Sequence, residues 1–293
     1  MWTEIAQHIT QVTGIPLPNP QVRSLGGGCI NQAYLLSQGE VQYFVKLNHA
    51  SKVDMFDAEQ LGLAQMLQTQ TIRVPRPIGC GVAGGHAYLV LEYLALGGRG
   101  TPAAWQAMGQ RLAALHQWRS PQRHSQFGWD RDNRIGDTPQ PNPWTDDWTT
   151  FFREHRLAFQ FKLAARRGGH FPRQAELLAA VPHLLADHHP QPSLVHGDLW
   201  SGNAAITHDG EPVIFDPATY WGDREVDLAM TELFGRFPTP FYEGYQQVFP
   251  IAAGYAQRQV LYNLYHLLNH FNLFGGSYGS QANRMIDELL ARR

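Results

Sequence analysis

Cysteine and long apolar runs are scarce in this chain of 293 residues. Its two cysteines, Cys29 and Cys80, are too few for a disulfide framework or for a structural zinc site of their own. No apolar run reaches the length that spans a bilayer. Residues 1–4 lack the basic start and apolar stretch of a secretory signal. We therefore expect a chain that works in the reducing cytoplasm and does not enter a membrane.

Charged residues of either sign are also few. The net charge is −2 and only 16% of the residues are charged. This balance gives no electrostatic argument for binding nucleic acid or an anionic membrane surface. The length allows a sizeable core and one or two domains, and we find no internal repeat.

The predicted elements change character near residue 92. Before it, helices are predicted at 4–12 and 54–68 from their apolar periodicity. Strands are predicted at 21–26, 32–37, 41–47, 77–80 and 87–92. This pattern is typical of a small lobe built on an antiparallel sheet.

The chain becomes mainly helical after a hinge at 93–100. Thr101-Pro102 has the signature of a helix start, and 120–143 is predicted to be a long loop. Helices are predicted at 101–116, 145–162, 173–186, 224–234, 255–273 and 281–292, with short strands at 193–196, 204–207 and 212–215. The sequence thus predicts an α+β fold with a lobe at 1–92, a hinge at 93–100 and a larger helical lobe at 101–293. We expect a nucleotide in the cleft between the lobes.

The most informative residues are Asp198, Asn203 and Asp216. A kinase needs a carboxylate at the attacking hydroxyl, and an amide and a second carboxylate that hold Mg²⁺ on the nucleotide phosphates. We interpret Asp198 as the catalytic base and the other two as Mg²⁺ ligands, since hard oxygen donors suit this ion. The Arg of the protein-kinase His-Arg-Asp motif is Gly197 here, which favours a small-molecule acceptor. Taken singly, each residue is equally compatible with a cap or a turn.

Three further segments are predicted to bind ATP. Lys46 ends a strand and suits the α- and β-phosphates, and Glu59 in the next helix is placed to pair with it. The run Gly26, Gly27 and Gly28 lets backbone N–H groups approach phosphate, although it matches no standard glycine-rich motif. The hinge residues Glu92, Tyr93 and Leu94 are predicted to offer backbone groups to adenine; Glu92 is equally compatible with a surface position.

Residues 217–226 are too few to dock a peptide as a protein-kinase activation segment does. We interpret this stretch as the wall of a small polyol or amine pocket. The predicted substrate residues are Trp200, Tyr220 and Trp221, which could stack on a sugar, and Asp223 and Glu225, which could bind hydroxyls or an amine. Asp223 and Glu225 equally fit the cap and first turn of a helix.

The histidines do not indicate a metal site. His183, His188 and His189 are interpreted as a solvated loop. His116 and His196 are predicted to orient their neighbours rather than to bind a metal.

These segments together resemble one family. The sequence is similar to the fructosamine and ketosamine 3-kinases, which have a protein-kinase-like two-lobe fold and are related to aminoglycoside and choline kinases. The matching stretches cover nearly the whole chain and lie at 26–31, 44–46, 127–129, 138–144, 151–157, 196–203 and 216–225. The Thr-Pro-Gln-Pro-Asn stretch at 138–142 and Trp200 are the most selective of them.

The resemblance implies phosphorylation of the 3-hydroxyl of a ketosamine by ATP with Mg²⁺, a deglycation repair reaction. The acceptor would be a small ketosamine or a glycated protein lysine. Asp198 would be the base, Asn203 and Asp216 would hold metal, and Lys46 would bind phosphate. Family members often carry a cysteine in the glycine loop, so Cys29 is a possible redox-sensitive thiol, and we expect a monomer or a weak or redox-linked dimer.

Two other interpretations stay open on the sequence alone. One is a kinase for another small alcohol, such as an aminoglycoside, choline or homoserine. The other is a catalytically silent kinase fold that acts as a binding module, against which the intact acidic set argues.

Overall fold

The structure is a computed structural model and describes residues 1–26, 30–119 and 125–291. The amino-terminal part contains a five-stranded antiparallel sheet of order β1-β2-β3-β5-β4. Its strands are β1 (Gln21–Leu25), β2 (Gln32–Gln38), β3 (Val41–His49), β4 (Pro77–Ala83) and β5 (His86–Glu92).

A helix packs on each face of this sheet. Helix α1 (Trp2–Thr13) covers one face, where Val45 and Val90 belong to a small core of their own. Helix α2 (Val53–Thr69) covers the other face, where Leu89 and Leu91 join the main core. Successive side chains of a strand point to opposite faces, so Lys46, next to Val45 in β3, points toward α2.

Helices dominate after residue 101. They are α3 (Pro102–Gln117), α4 (Trp148–Phe151), α5 (Phe159–Arg166), α6 (Gln174–Leu184), α7 (Glu225–Leu233), α8 (Thr239–Val248), α9 (Tyr255–Phe274) and α10 (Tyr278–Ala291). The Thr101 hydroxyl accepts a hydrogen bond from the Ala104 N–H at 3.2 Å, so α3 begins at the predicted cap. A π-helical stretch, Phe152–Ala158, joins α4 to α5 and turns Arg156 into the interior.

Short antiparallel pairs frame the centre of the helical part. The strands are β6 (Asn133–Ile135), β7 (Thr138–Gln140), β8 (Ser193–Val195), β9 (Ala204–Ile206), β10 (Pro212–Ile214) and β11 (Tyr220–Gly222). They pair as β6 with β7, β8 with β11 and β9 with β10. The segments that leave β8 and β10 run alongside each other in opposite directions, at the place where the acidic motif lies. The Phe215 N–H donates to the Asn203 carbonyl oxygen, and the Ala218 N–H donates to the His196 carbonyl oxygen.

The predicted elements are present, with ends shifted by a few residues, and three features were missed. The loop predicted at 120–143 contains the β6–β7 hairpin, and β11 and α8 were not predicted. Helix α8 has glycine at position 244, a poor helix former, because a Cβ there would lie 2.1 Å from the Gln106 carbonyl oxygen of α3. Close packing of two helices therefore outweighed local propensity. Among the described residues, none of the helices combines the length and apolar character needed to cross a membrane.

Candidate active site

The loop at residues 196–203 connects β8 to β9 and is anchored by one buried carboxylate. Asp227 in the first turn of α7 accepts hydrogen bonds from the backbone N–H of His196 at 2.7 Å and of Gly197 at 2.8 Å. His116 lies 3.0 Å from the same carboxylate, and neither side chain is exposed. Burial raises the pKa of Asp227, but the bonds with His116 and Gly197 outweigh it and hold that pKa below its ordinary value. An ionised carboxylate thus fixes the start of the loop.

His196 ties this loop to the segment after β10. Its Nε2 lies 2.9 Å from the Phe215 carbonyl oxygen, and its Nδ1 lies 3.3 Å from the backbone N–H of Asp198. Burial lowers the pKa of His196. A neutral ring that donates from Nε2 and accepts at Nδ1 satisfies both contacts. His196 therefore orients its neighbours, as the sequence predicted.

Gly197 stands where a protein kinase has arginine, and the geometry gives a reason. Its φ is +81°, and a Cβ there would lie 2.2 Å from the Ala218 carbonyl oxygen. Any side chain would push the loop away from the segment that follows Asp216. The absence of arginine is thus a packing requirement of this site.

Asp198 and Asn203 both lie in this loop and contact each other. The Asn203 amide nitrogen donates to the Asp198 backbone oxygen at 2.8 Å and to its Oδ2 at 3.2 Å. The Phe215 N–H donates to the Asn203 carbonyl oxygen at 3.0 Å, which places Asp216 beside this pair. Burial, followed by repulsion from Asp216, raises the pKa of Asp198 to about 7. The surroundings of Asp198 therefore favour its protonated form more than water does.

Lys46 bridges two carboxylates, one in α2 and one directly after β10. Its Nζ lies 2.7 Å from Glu59 Oε1 and 2.7 Å from Asp216 Oδ1. Burial lowers the pKa of Lys46, but the charges of Asp216 and Glu59 outweigh it and hold that pKa above its ordinary value. The Asp216 side chain is 51% exposed. Lys46 in turn keeps the pKa of Asp216 low in spite of the effect of burial. Both groups are therefore charged at neutral pH.

The donor atoms in this cluster fit a hard divalent cation. The Asn203 amide nitrogen faces Asp198, so the Asn203 side-chain oxygen is the atom left for a ligand. Asp216 uses Oδ1 for Lys46 and is half exposed. A carboxylate and an amide oxygen beside a phosphate site are typical Mg²⁺ ligands. The predicted set of Lys46, Asp198, Asn203 and Asp216 is thus brought together in one cluster.

Helix α2 rests directly on the segment that follows Asp216. A Cβ on Gly62 would lie 2.7 Å from the Thr219 hydroxyl and 3.1 Å from its Cβ. A second contact joins α2 to the loop before β6, where the Trp129 indole N–H donates to Gln65 Oε1 at 2.8 Å. The helix that carries Glu59 is therefore braced against the helical part of the chain.

The predicted nucleotide-binding segments have different outcomes. Gly27, Gly28 and Cys29 lie outside the described residues; Gly26 directly follows β1. The Glu92 N–H donates to the Arg76 carbonyl oxygen at 2.8 Å, so this donor is not free for adenine. The Glu92 side chain pairs with Arg73. Adenine binding by Tyr93 and Leu94 stays a prediction.

Of the predicted aromatic substrate residues, Trp200 is the one on the surface. It is 37% exposed, two positions from Asp198, and its ring packs on Gly202. Tyr220 is 2% exposed, with the Arg156 guanidinium 4.1 Å from its ring centre. Trp221 is 6% exposed and stacks on Trp118. Tyr220 and Trp221 thus belong to the core, which corrects the prediction that they face a sugar.

Asp223 and Glu225 also need a correction. Asp223 accepts hydrogen bonds from Tyr262 at 2.5 Å and from His188 at 2.6 Å. Glu225 forms a two-pronged ion pair with Arg258 at 2.7 and 2.9 Å. Both carboxylates are buried and fully paired, so the structure does not offer them to a substrate. His188, which we expected in a solvated loop, belongs to this buried group.

Several buried polar residues near the site were missed as functional candidates. They are Asp227, Asn133, Gln140, Asn142 and Arg156. Asp227 had a local signal, since a lone acid within the apolar run 226–230 must find a buried partner. The other four lie in the short strands β6 and β7, in the loop after β7 and in the π-helical stretch, where no periodicity marks a residue as buried.

Comparison with known proteins gives matches that cover nearly the whole chain. The family model described as fructosamine kinase matches residues 1–292. A protein of Synechocystis sp. named a probable ketoamine kinase is 60% identical over 99% of this chain and 97% of its own. The chloroplastic protein-ribulosamine 3-kinase of Arabidopsis thaliana is 40% identical over 99% of this chain and 86% of its own.

A solved structure agrees with the fold. A crystal structure from Haemophilus somnus, of a protein assigned as a fructosamine-3-kinase, superposes with a TM-score of 0.92 at 33% identity, covering 99% of this chain and 98% of the other. The predicted α+β architecture, with a small antiparallel sheet before a larger helical part, is therefore confirmed. On the match of the family model and of these relatives, the chain belongs to the fructosamine kinase family.

Proposed function

We propose that this chain transfers the γ-phosphoryl group of ATP to the 3-hydroxyl of a ketosamine, the rearranged adduct of a sugar and an amine. The observation that carries the proposal is the cluster in which Lys46 bonds Asp216 and Asn203 bonds Asp198. Membership of the fructosamine kinase family and the name of the Arabidopsis thaliana relative support the acceptor class and the position of the hydroxyl.

Asp198 is the proposed base. Its carboxylate accepts a hydrogen bond from the substrate hydroxyl and orients the oxygen toward the γ-phosphorus. As the new O–P bond forms and the bond to the ADP oxygen breaks, the hydroxyl proton passes to Asp198. A pKa of about 7 lets the group take this proton and return it to water near neutral pH.

Lys46, Asn203 and Asp216 are proposed to hold the nucleotide. Lys46 binds the α- and β-phosphates with its ammonium group, and Glu59 keeps that group in place at 2.7 Å. Asn203 and Asp216 supply oxygen ligands for Mg²⁺. The ion, when bound, neutralises charge on the phosphate oxygens. Tyr93 and Leu94 are proposed to contact adenine at the hinge.

Trp200 is proposed to line the acceptor pocket. Its exposed ring lies two positions from Asp198, within the same loop. An indole face packs well on the C–H face of a sugar, and its N–H can bond a hydroxyl. The proposed acceptor site is therefore smaller than the sequence suggested, because the other four predicted substrate residues are buried: Tyr220, Trp221, Asp223 and Glu225.

The test is an ATP-consumption assay with a panel of acceptors. It contains fructose-, ribulose- and erythrulose-derived ketosamines of one amine, the same adducts on protein lysines, an aminoglycoside and choline. We expect turnover with ketosamines and phosphate on O3, mapped by NMR. Turnover confined to the aminoglycoside or choline, or phosphate on another oxygen, would overturn the proposal. Asp198→Asn is the control for contaminating activity.

A further inference from the structure

The three residues after Asp216 are held from both sides. On one side, the Ala218 N–H donates to the His196 carbonyl oxygen at 2.9 Å. On the other side, the Ala218 carbonyl oxygen accepts from Gln140 Nε2 at 3.1 Å, and the Thr219 carbonyl oxygen accepts from Asn133 Nδ2 at 2.8 Å. The backbone of this segment thus lies between the catalytic loop and two buried amide side chains.

These amides form a connected set with Asn142 and Arg156, which we call the amide cluster (Asn133, Gln140, Asn142 and Arg156). Asn133 Oδ1 accepts from Gln140 Nε2 at 2.8 Å and from Asn142 Nδ2 at 2.9 Å. The Arg156 guanidinium donates to Asn142 Oδ1 at 2.7 Å. None of the four side chains is more than 8% exposed.

The orientation of each amide is dictated by its neighbours. Arg156 has only donors, so Asn142 turns its oxygen to Arg156 and its nitrogen to Asn133. Asn133 must then present its oxygen to Asn142, and its nitrogen points at Thr219. Tyr265 donates to Gln140 Oε1 at 2.6 Å, which turns the Gln140 nitrogen toward Ala218. The buried charge of Arg156 and one tyrosine hydroxyl therefore aim two N–H donors at the segment.

Asp216 needs such support. Its φ is +61°, in the left-handed region that non-glycine residues rarely occupy. It also precedes Pro217, and a residue before proline prefers an extended backbone. A strained conformation persists only where the surrounding structure imposes it. Hydrogen bonds to Ala218 and Thr219, immediately downstream, are placed to do so.

We infer that the amide cluster is a set of positioning residues that hold Asp216 in its left-handed conformation, with its carboxylate turned to Lys46 and to the cation. The segment 217–219 is too short to fix its own backbone. Side chains of β6, β7 and the π-helical stretch hold it in place instead. The inference depends on the proposed role of Asp216 as a metal ligand, and it concerns residues that do not touch the nucleotide.

The test measures nucleotide binding without any acceptor. ADP is titrated by calorimetry into the full chain and into Gln140→Leu, with Mg²⁺ and with EDTA. Gln140→Leu removes the donor to Ala218 and to Asn133 and replaces it with an apolar side chain of similar size. We expect the Mg²⁺-dependent affinity to fall about tenfold, which corresponds to roughly 1.4 kcal/mol, and the affinity in EDTA to stay unchanged.

Asn272→Leu is the matched control. Its amide is also buried and donates to Gln160 at 2.6 Å, and it is not a member of the amide cluster. We expect a comparable drop in melting temperature with no change in the Mg²⁺-dependent affinity. The same shift in both variants would mean that general destabilisation is the cause, and would overturn the inference.

A double-variant cycle asks whether the effect passes through Asp216. In an Asp216→Ala background, Gln140→Leu should no longer alter ADP affinity with Mg²⁺. An undiminished loss in that background contradicts the inference. If Gln140→Leu does not fold, Tyr265→Phe removes only the hydroxyl that orients Gln140. It must then weaken Mg²⁺-dependent binding in the same direction, and unchanged binding contradicts the inference.

Failure of this inference and failure of the proposed function are distinguishable. ADP and Mg²⁺ binding does not depend on which alcohol is phosphorylated. A chain that phosphorylates no ketosamine can still show the Gln140 effect, and a working ketosamine kinase can lack it.

Discussion

Two acidic pairs lie close together in this chain and have opposite surroundings. Asp198 and Asp216 stand in the cleft, where Asp216 is 51% exposed and Asp198 has a pKa raised to about 7. Asp223 and Glu225 lie behind β11, with exposures of 1% and 0%, and bind His188, Tyr262 and Arg258.

The difference distinguishes carboxylates that can take part in catalysis from carboxylates that stabilise the fold. A carboxylate whose oxygens are all bonded by fixed protein donors has nothing left for a ligand, whatever its position in a motif. A carboxylate with unused oxygens in a half-buried cleft is available to a proton or a cation. Sequence proximity to a catalytic motif therefore does not make an acid a substrate ligand.

The largest effect is expected for the cleft pair. Asp198→Asn keeps the shape of the side chain and removes the base, so kcat should fall by roughly 10³-fold. ATP affinity should stay within the error of calorimetry, because Asp198 is not proposed to bind the nucleotide. A steady-state assay and an ATP titration check both. Near-normal turnover of Asp198→Asn would mean that Asp198 is not the base, and the cleft pair would then not differ from the buried pair in function.

The buried pair should affect stability instead. Arg258→Met removes the two-pronged partner of the buried Glu225 and leaves it the longer contact with His188 at 3.8 Å, which costs about 3 kcal/mol of unfolding free energy. Below the unfolding transition, kcat should match that of the unchanged chain. Urea denaturation and an assay at low temperature measure the two quantities. Arg173→Met, which breaks the surface pairs with Glu176 and Asp287, is the control and should cost far less.

The pH dependence sharpens the comparison further. Burial and Asp216 raise the pKa of Asp198 to about 7, and only the ionised form accepts a proton. Activity is therefore full above this pKa and falls as the pH drops through it, by about tenfold per pH unit on the acid limb. A bound cation lowers the midpoint. A kcat/KM profile that stays flat between pH 8 and pH 5 would exclude Asp198 as the titrating base.

The smallest effect is expected at the edge of the buried group. His188→Leu removes one of the donors to Asp223, which keeps its bonds with the Tyr262 hydroxyl and the Glu225 N–H. The loss of unfolding free energy should be about 1 kcal/mol or less. Thermal denaturation measures it, and ketosamine turnover should not change. A loss of turnover with the fold intact would return Asp223 to the list of substrate ligands.

Much of the fold was open to prediction because its signals are local. Thr101 and Pro102 predict the start of α3, because they form a helix cap followed by proline. The strand that contains Lys46 is predicted from its run of apolar and aromatic residues. The family resemblance, confirmed by the match over residues 1–292, carried the acceptor class. The domain limits at 92 and 101 stay a prediction.

The remainder depended on contacts between distant segments. Whether Tyr220 stacks on a sugar or on Arg156 is decided by a π-helical stretch that leaves no periodic signal. Whether Glu225 binds an amine or an arginine is decided by α9, which carries Arg258. The roles of Asn133 and Gln140 depend on a hairpin of very short strands, which we had predicted to be loop. Tertiary pairing, rather than residue type, settled each of these cases.

Gly62 has no side chain, yet it sets the distance between α2 and the segment that follows Asp216. It lets α2, with Glu59, lie against Thr219, whose backbone is in turn pinned by Asn133. An added methyl group at Gly62 would push α2 away from Thr219. It would thereby move Glu59, which holds Lys46, away from Asp216. The position of Glu59 relative to Asp216 therefore depends on the absence of a side chain at one position of α2.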